Sequence, residues 1–192
     1  MPAILALPRG ASTSREMWFD QQVRFRPARG GGARHIARMT YRITGLDPAL
    51  FADLHKLSDE ALAARAVVRS RVAGENVAPC RVTLDDAAPG ESVLLLSYDH
   101  QPADTPYQQQ GPIFVRERGA RFDRVGVIPP ALARRPLSLR GYDAGHMMIE
   151  AELTDGAAAE PLIERLLANP AVAYIHAHYA RRGCYAARID RA

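Results

Sequence analysis

Tyr174-Ile175-His176-Ala177-His178-Tyr179-Ala180-Arg181-Arg182-Gly183-Cys184 is the stretch whose reading decides the fold. A strand sends alternate side chains to opposite faces, so His176 and His178 emerge side by side. Gly183 supplies the positive φ that closes a three-residue hairpin loop, with Cys184 opening the return strand. Ala180 then faces Cys184, and pleat alternation puts the thiol on the same face as both imidazoles. Two imidazoles, a thiol and flanking arginines form a candidate reactive or metal site. The hairpin also sets the fold class. Most strands upstream are joined by turns and not by helical crossovers, which predicts an α+β fold with a mainly antiparallel sheet, two or three helices and a C-terminal β-hairpin.

Working back from the hairpin, Leu162, Ile163, Leu166 and Leu167 form the stripe of a helix over residues 158–168, and Asn169-Pro170 stops it. Residues 137–142 and 147–153 read as strands. The proline-rich stretch 125–136 is a connection with a short helical turn around Ala131. Residues 92–98, with their Val-Leu-Leu-Leu core, are the best buried-strand candidate, and 113–117 restore a strand. Between them, residues 99–112 read as a long loop of the kind that carries function in compact domains. Cys80, Val82 and Leu84 alternate with Arg81 and Thr83 as in a half-buried strand. Residues 66–72 look extended. Further upstream, Asp47 caps a helix with Pro48 in its first turn, and a second short helix starting at Ser58 or Asp59 carries Leu62.

The chain of 192 residues carries a net charge of +4. Residues 1–38 contain seven arginines against Glu16 and Asp20, a net of +5, so residues 39–192 carry −1. The basic character therefore belongs to the N-terminal extension, and a nucleic-acid partner is not favoured for the domain. The extension has no apolar periodicity and reads as disordered, with Met39 as the expected natural start and 39–192 as a single globular domain. No apolar run approaches the roughly 20 residues of a membrane-spanning helix, and no export signal is evident. The expected compartment is the cytoplasm, with Cys80 and Cys184 reduced.

Three chemistries compete for the hairpin. Imidazole or arginine beside a thiol favours the thiolate, making Cys184 a candidate nucleophile with His178 as base and His176 as alternative base or orienter. Two imidazoles with Cys184 and Cys80 form a nitrogen and sulfur set that suits zinc, with His100 or Asp143 as further ligands. No Cys-x-x-Cys or His-Glu-x-x-His spacing accompanies it, so no metal is favoured. Noncovalent recognition is the third. Arg140 and Arg116, each following an apolar strand run, offer bidentate contacts to a carboxylate or phosphate, and Tyr107 and Tyr142 supply a wall and hydroxyls.

The blocks Pro79-Cys80-Arg81-Val82-Thr83-Leu84, Pro106-Tyr107 with Gly111-Pro112-Ile113-Phe114-Val115-Arg116, Leu139-Arg140-Gly141-Tyr142-Asp143 and His176-Ala177-His178 through Arg188 occur in this order. Together they resemble the bacterial family called domain of unknown function 1203, from about residue 39 to the C-terminus. The resemblance implies no activity and transfers no catalytic residue. The leading expectation is a small-molecule enzyme or metal-assisted catalyst using the hairpin. The alternative is a noncatalytic ligand-binding or protein-interaction domain in which the His/Cys cluster is structural.

Overall fold

The two strands of the C-terminal hairpin lie at the centre of a six-stranded sheet. The computed structural model describes residues 40–192, so the expectations for residues 1–38 fall outside the described residues. In chain order the elements are β1 (Tyr41–Thr44), α1 (Ala52–His55), α2 (Asp59–Ala63), β2 (Val68–Arg71), β3 (Ser92–Gln101), β4 (Gln109–Arg116), β5 (Asp123–Val125), α3 (Pro130–Ala133), β6 (Pro136–Tyr142), β7 (Met148–Asp155), α4 (Glu160–Ala168), β8 (Tyr174–Tyr179) and β9 (Tyr185–Arg191). Single 3-10 turns occupy Pro48–Phe51 and Gly156–Ala158. The large sheet has the order β5-β1-β9-β8-β6-β7, and a second sheet has the order β2-β3-β4. Every ladder in both is antiparallel. The fold is α+β, as expected, with four α-helical segments among the described residues where two or three were expected.

The apolar stripe of α4 explains which face of the large sheet is dry. Ile163, Leu166 and Leu167 join Ile43, Leu137, Leu139, Ile175 and Ile189 in one buried cluster. Each fully buried aliphatic side chain there contributes about 2 kcal/mol. Asn169 leaves the helical region at ψ 112, because the following Pro170 disfavours αR in the residue before it. The small sheet buries Leu94, Leu96, Ile113 and Val115 against Phe51 and Leu62, which belong to the capped 3-10 turn and α2. Asp47 accepts from the Ala49 N–H and Ser58 from the Ala61 N–H, so both predicted caps are present.

Two local expectations are corrected. Residues 80–84 are not a strand; Pro79 and Cys80 make only isolated bridges, to Asp86 and Phe114, and Leu84 sits at φ 50. A turn that points Cys80, Val82 and Leu84 inward imitates the period-two signal. Half of residues 99–112 are strand and not loop. β3 runs to Gln101 and β4 begins at Gln109, leaving only 102–108 as the connection. Polar side chains hid these strand ends, because their apolar partners lie on a different element.

Candidate functional site

The register of the large sheet puts a polar row on the face away from α4. His176 pairs with Arg140 of β6 and Arg188 of β9, and His178 pairs with Ser138 and Tyr185. Ile175 and Ala177 point into the core on the other face. A β-bulge shifts the register of β9 between Ala177 and His178, so Tyr185 and Arg188, three positions apart, share the histidine face. A second bulge lies at His100, where Asp99 pairs with Gln110 and Gln101 with Gln109. It breaks alternation, and His100 and Gln101 are both buried at the end of β3. Bulges re-aim side chains in this way beside many binding sites.

The result is a box of aromatic rings. His100 stacks on Tyr185 with centroids 4.9 Å apart and meets His178 edge-on at 5.1 Å. His176 lies 6.1 Å from His100 and 6.3 Å from His178. Tyr142 stacks on Tyr174 at 5.2 Å, the Arg188 guanidinium covers Tyr174 at 4.0 Å, and Tyr107 meets Tyr142 edge-on at 6.4 Å. Polar links tie the box together. The Tyr174 hydroxyl accepts from Gln101 Nε2 at 2.8 Å and meets His146 Nδ1 at 2.9 Å. Arg140 and Gln101 approach the Tyr142 hydroxyl.

Two tautomers follow from partners that have a single role. Arg140 donates from a terminal nitrogen to Gln109 Oε1 at 3.0 Å, and a guanidinium only donates, so the Gln109 oxygen is the atom in place. The same oxygen therefore accepts from His100 Nε2 at 3.3 Å, leaving Nδ1 without a proton in the neutral ring. The Gly183 carbonyl accepts from His178 Nδ1 at 2.9 Å, leaving Nε2 without one. His100 Nδ1, His178 Nε2 and His176 Nδ1 are buried with no hydrogen-bond partner.

All three rings are held neutral. Burial lowers His176 to about 2, and the neighbouring His178, His100, Arg188 and Arg140 push the same way. Burial lowers His178 to about 3; its bond to Gly183 opposes this, while Arg140, His100 and Arg81 add to it. Burial also lowers His100, opposed by its bond to Gln109 and by the nearby Tyr98 carbonyl and Asp99 carboxylate.

A cavity of about 300 Å³ opens beside this box. His100, His176, Tyr98 and Tyr185 line one side, Arg121 and Arg188 supply its cations, and the 44–47 turn with Leu50 closes it. Asp47 is the one carboxylate in the lining, and it is engaged in capping. Arg188 spends Nε and one terminal nitrogen on Asp190. Arg121 donates Nε to the Gly45 carbonyl at 2.7 Å, and its two terminal nitrogens have no partner among the described residues.

Of the residues singled out from sequence, His176, His178, Arg140, Tyr142 and Tyr107 come together here. Cys184 does not. The Tyr179 N–H donates to the Cys184 carbonyl, and Gly183, at φ 74, donates to Tyr179 O at 2.8 Å. The loop therefore has four residues, and Cys184 faces Tyr179 and not Ala180. A shift of one residue turns the side chain to the other face, and Tyr185 takes the place expected for the thiol. Cys80 is also elsewhere, fully buried with Sγ accepting from the Val82 and Arg116 amides. The nitrogen and sulfur set expected for zinc is thus not assembled, and among the described residues no three His, Cys, Asp or Glu side chains are grouped to hold a metal. Arg116 lines a separate cavity of about 200 Å³ with His55 and Phe51, and faces Glu91 at 3.5 Å.

The aromatic box and strands β3 to β9 fall within one family segment. A family model described as "Protein of unknown function (DUF1203)" matches residues 77–191. The chain belongs to the DUF1203 family. No match to it was found among curated proteins or among solved structures. The DUF1203 segment contains every member of the aromatic box, whereas the 44–47 turn and Leu50 precede it. No helix among the described residues is long and apolar enough to cross a membrane.

His100 as a member of the box, Tyr185, Gln109, Gln101 and Arg121 were not evident as a group in the sequence. Each bulge inverts strand parity, and nothing in Asp99-His100-Gln101 or Tyr185-Ala186-Ala187 marks where the extra residue lies. The one available signal was the density of His, Gln and Tyr in residues 98–110.

Proposed function

We propose that this DUF1203 domain binds a small organic anion, carboxylate or phosphate, in the cavity between the end of β3 and the β8–β9 hairpin. One observation carries the proposal: Arg121 and Arg188 line a cavity whose only carboxylate is already engaged, and the terminal nitrogens of Arg121 are unspent. A guanidinium with a free edge recognises a carboxylate or phosphate through paired N–H groups. Leu50, Tyr98 and Tyr185 supply an apolar wall for the rest of the molecule. The binding reading is preferred to covalent catalysis because the thiol and the imidazoles occupy opposite faces. It is also preferred to simple general-base catalysis. Imidazoles held at about 2 and 3 are weak bases at neutral pH.

An enzyme built on the same cavity is the second reading, favoured by the three imidazole nitrogens that lack partners. It requires ligand binding to raise one of them into the neutral range. The two unpaired thiols support placement in a reducing compartment such as the cytoplasm. Calorimetric titration with carboxylates and alkyl phosphates tests the binding proposal. Saturable binding weakened at least tenfold by Arg121→Gln or Arg188→Gln is the expected outcome. Binding that ignores both substitutions rejects it.

A further inference from the structure

Charge around the cavity is balanced except for one cation. Arg121 and Arg188 line it together with Asp47, and Arg188 is paired with Asp190. Arg140, Arg81 and Asp99 act on the imidazoles from outside the lining. Among the described residues this sets four guanidiniums against three carboxylates, a surplus of one positive charge. The imidazoles are neutral and add nothing to it. The surplus is also within reach of solvent, because Arg121 is exposed and both of its terminal nitrogens are unspent. One guanidinium edge matches one carboxylate. A second negative charge on the ligand would meet no free cation here, and a charge desolvated without a partner costs affinity.

The cavity carries an apolar group that is equally reachable. Leu50 lines it and is 58% exposed. The adjacent Phe51 is buried against Tyr98, with ring centroids 6.1 Å apart, so Phe51 anchors the Pro48–Phe51 turn and Leu50 is left uncovered. From the single surplus cation and this uncovered side chain, and resting on the anion-binding reading above, we infer that the ligand is an amphipathic monoanion. It is a monocarboxylate with a hydrocarbon chain, in preference to a phosphate ester or a dicarboxylate. The carboxylate takes the free edge of Arg121, and the chain covers Leu50 and the Tyr98 ring. Covering Leu50 removes from water apolar surface that the free protein leaves wet. At about 300 Å³ the cavity is at the small end of ligand sites, which suits an acid of this kind.

Calorimetry on the full chain at pH 7.5 separates the two parts of the inference. Acetate, butyrate and hexanoate vary the chain at constant charge. Hexanesulfonate against hexyl phosphate varies the charge at nearly constant shape, because a phosphate monoester has a second pKa of about 6 and is doubly charged here. Hexanoate should bind roughly tenfold or more tightly than acetate, and the sulfonate roughly tenfold more tightly than the phosphate. Leu50→Ser should weaken hexanoate by about threefold or more. Leu153→Ser serves as the control, since Leu153 is 73% exposed on β7 and outside the cavity, and it should leave hexanoate affinity within about twofold. Equal affinity along the acid series, hexyl phosphate binding as tightly as the sulfonate, or equal effects of the two leucine substitutions overturns the inference while leaving the anion site standing. Failure of every anion to bind overturns the anion site itself, and the monocarboxylate inference with it.

Discussion

Acid should weaken this fold through His176 and His178 in particular. Their folded values of about 2 and 3 lie far below the 6.5 of an unburied imidazole. Between those limits the unfolded chain binds two protons that the folded chain excludes. Stability is therefore complete above pH 6.5 and falls as the pH drops, until the folded values are reached. Each group withdraws at most about 1.4 kcal/mol per pH unit. From pH 6.5 to 4.5 the pair together removes roughly 5 kcal/mol, a large share of what a domain of this size possesses. The assay is urea unfolding at half-unit steps between pH 7.5 and 4.5, for wild type and for His176→Phe and His178→Phe separately. Carboxylates titrate alike in all three proteins, so the difference in slope isolates each imidazole. Each substitution should flatten the dependence by about 1 kcal/mol per pH unit. Parallel curves for all three proteins refute the reasoning, as does a folded His176 ring that titrates near 6.5.

Other consequences follow from single contacts. Asp86 is 6% exposed at its side chain and holds Arg135 through Oδ1 at 2.5 Å and Oδ2 at 3.0 Å. Asp86→Asn should cost about 3 kcal/mol in thermal unfolding, and a loss under 1 kcal/mol would show that the pair is not what anchors this corner. A Cβ at Gly45 would lie 2.0 Å from the Val82 carbonyl oxygen, whereas one at Gly74 meets nothing within 4 Å. Gly45→Ala should therefore destabilise by about 2 kcal/mol or more and Gly74→Ala by far less, and equal effects would contradict the close approach. Cys184 is half-buried and Cys80 fully buried. One thiol should react with a maleimide in the native protein and two in urea, and blocking Cys184 should leave anion affinity unchanged, because the thiol is on the other face. A twofold or greater loss of affinity would place it nearer the site than the register allows.

Much of the architecture was legible because apolar periodicity reports burial. The Leu162–Leu167 stripe, the Asp47 and Ser58 caps and the alternation of β7 all led to the right elements. Residues 80–84 misled for the same reason, since a turn with three inward side chains has the periodicity of a strand. The candidate site was half legible. The His-x-His spacing of β8 and the position of Arg140 on β6 were readable, and both histidines do share a face. Their neighbours were not readable, because bulges at His100 and Ala186 and a hairpin loop one residue longer than expected each reverse which face a residue occupies. Such one-residue shifts are set by packing across the sheet, which the local sequence does not display.

The most direct test of the central claim is a crystal structure of the protein grown with lactate. The expected result places the carboxylate within about 3 Å of Arg121 or Arg188 in this cavity. Lactate bound on other arginines while this cavity stays without it would contradict the site.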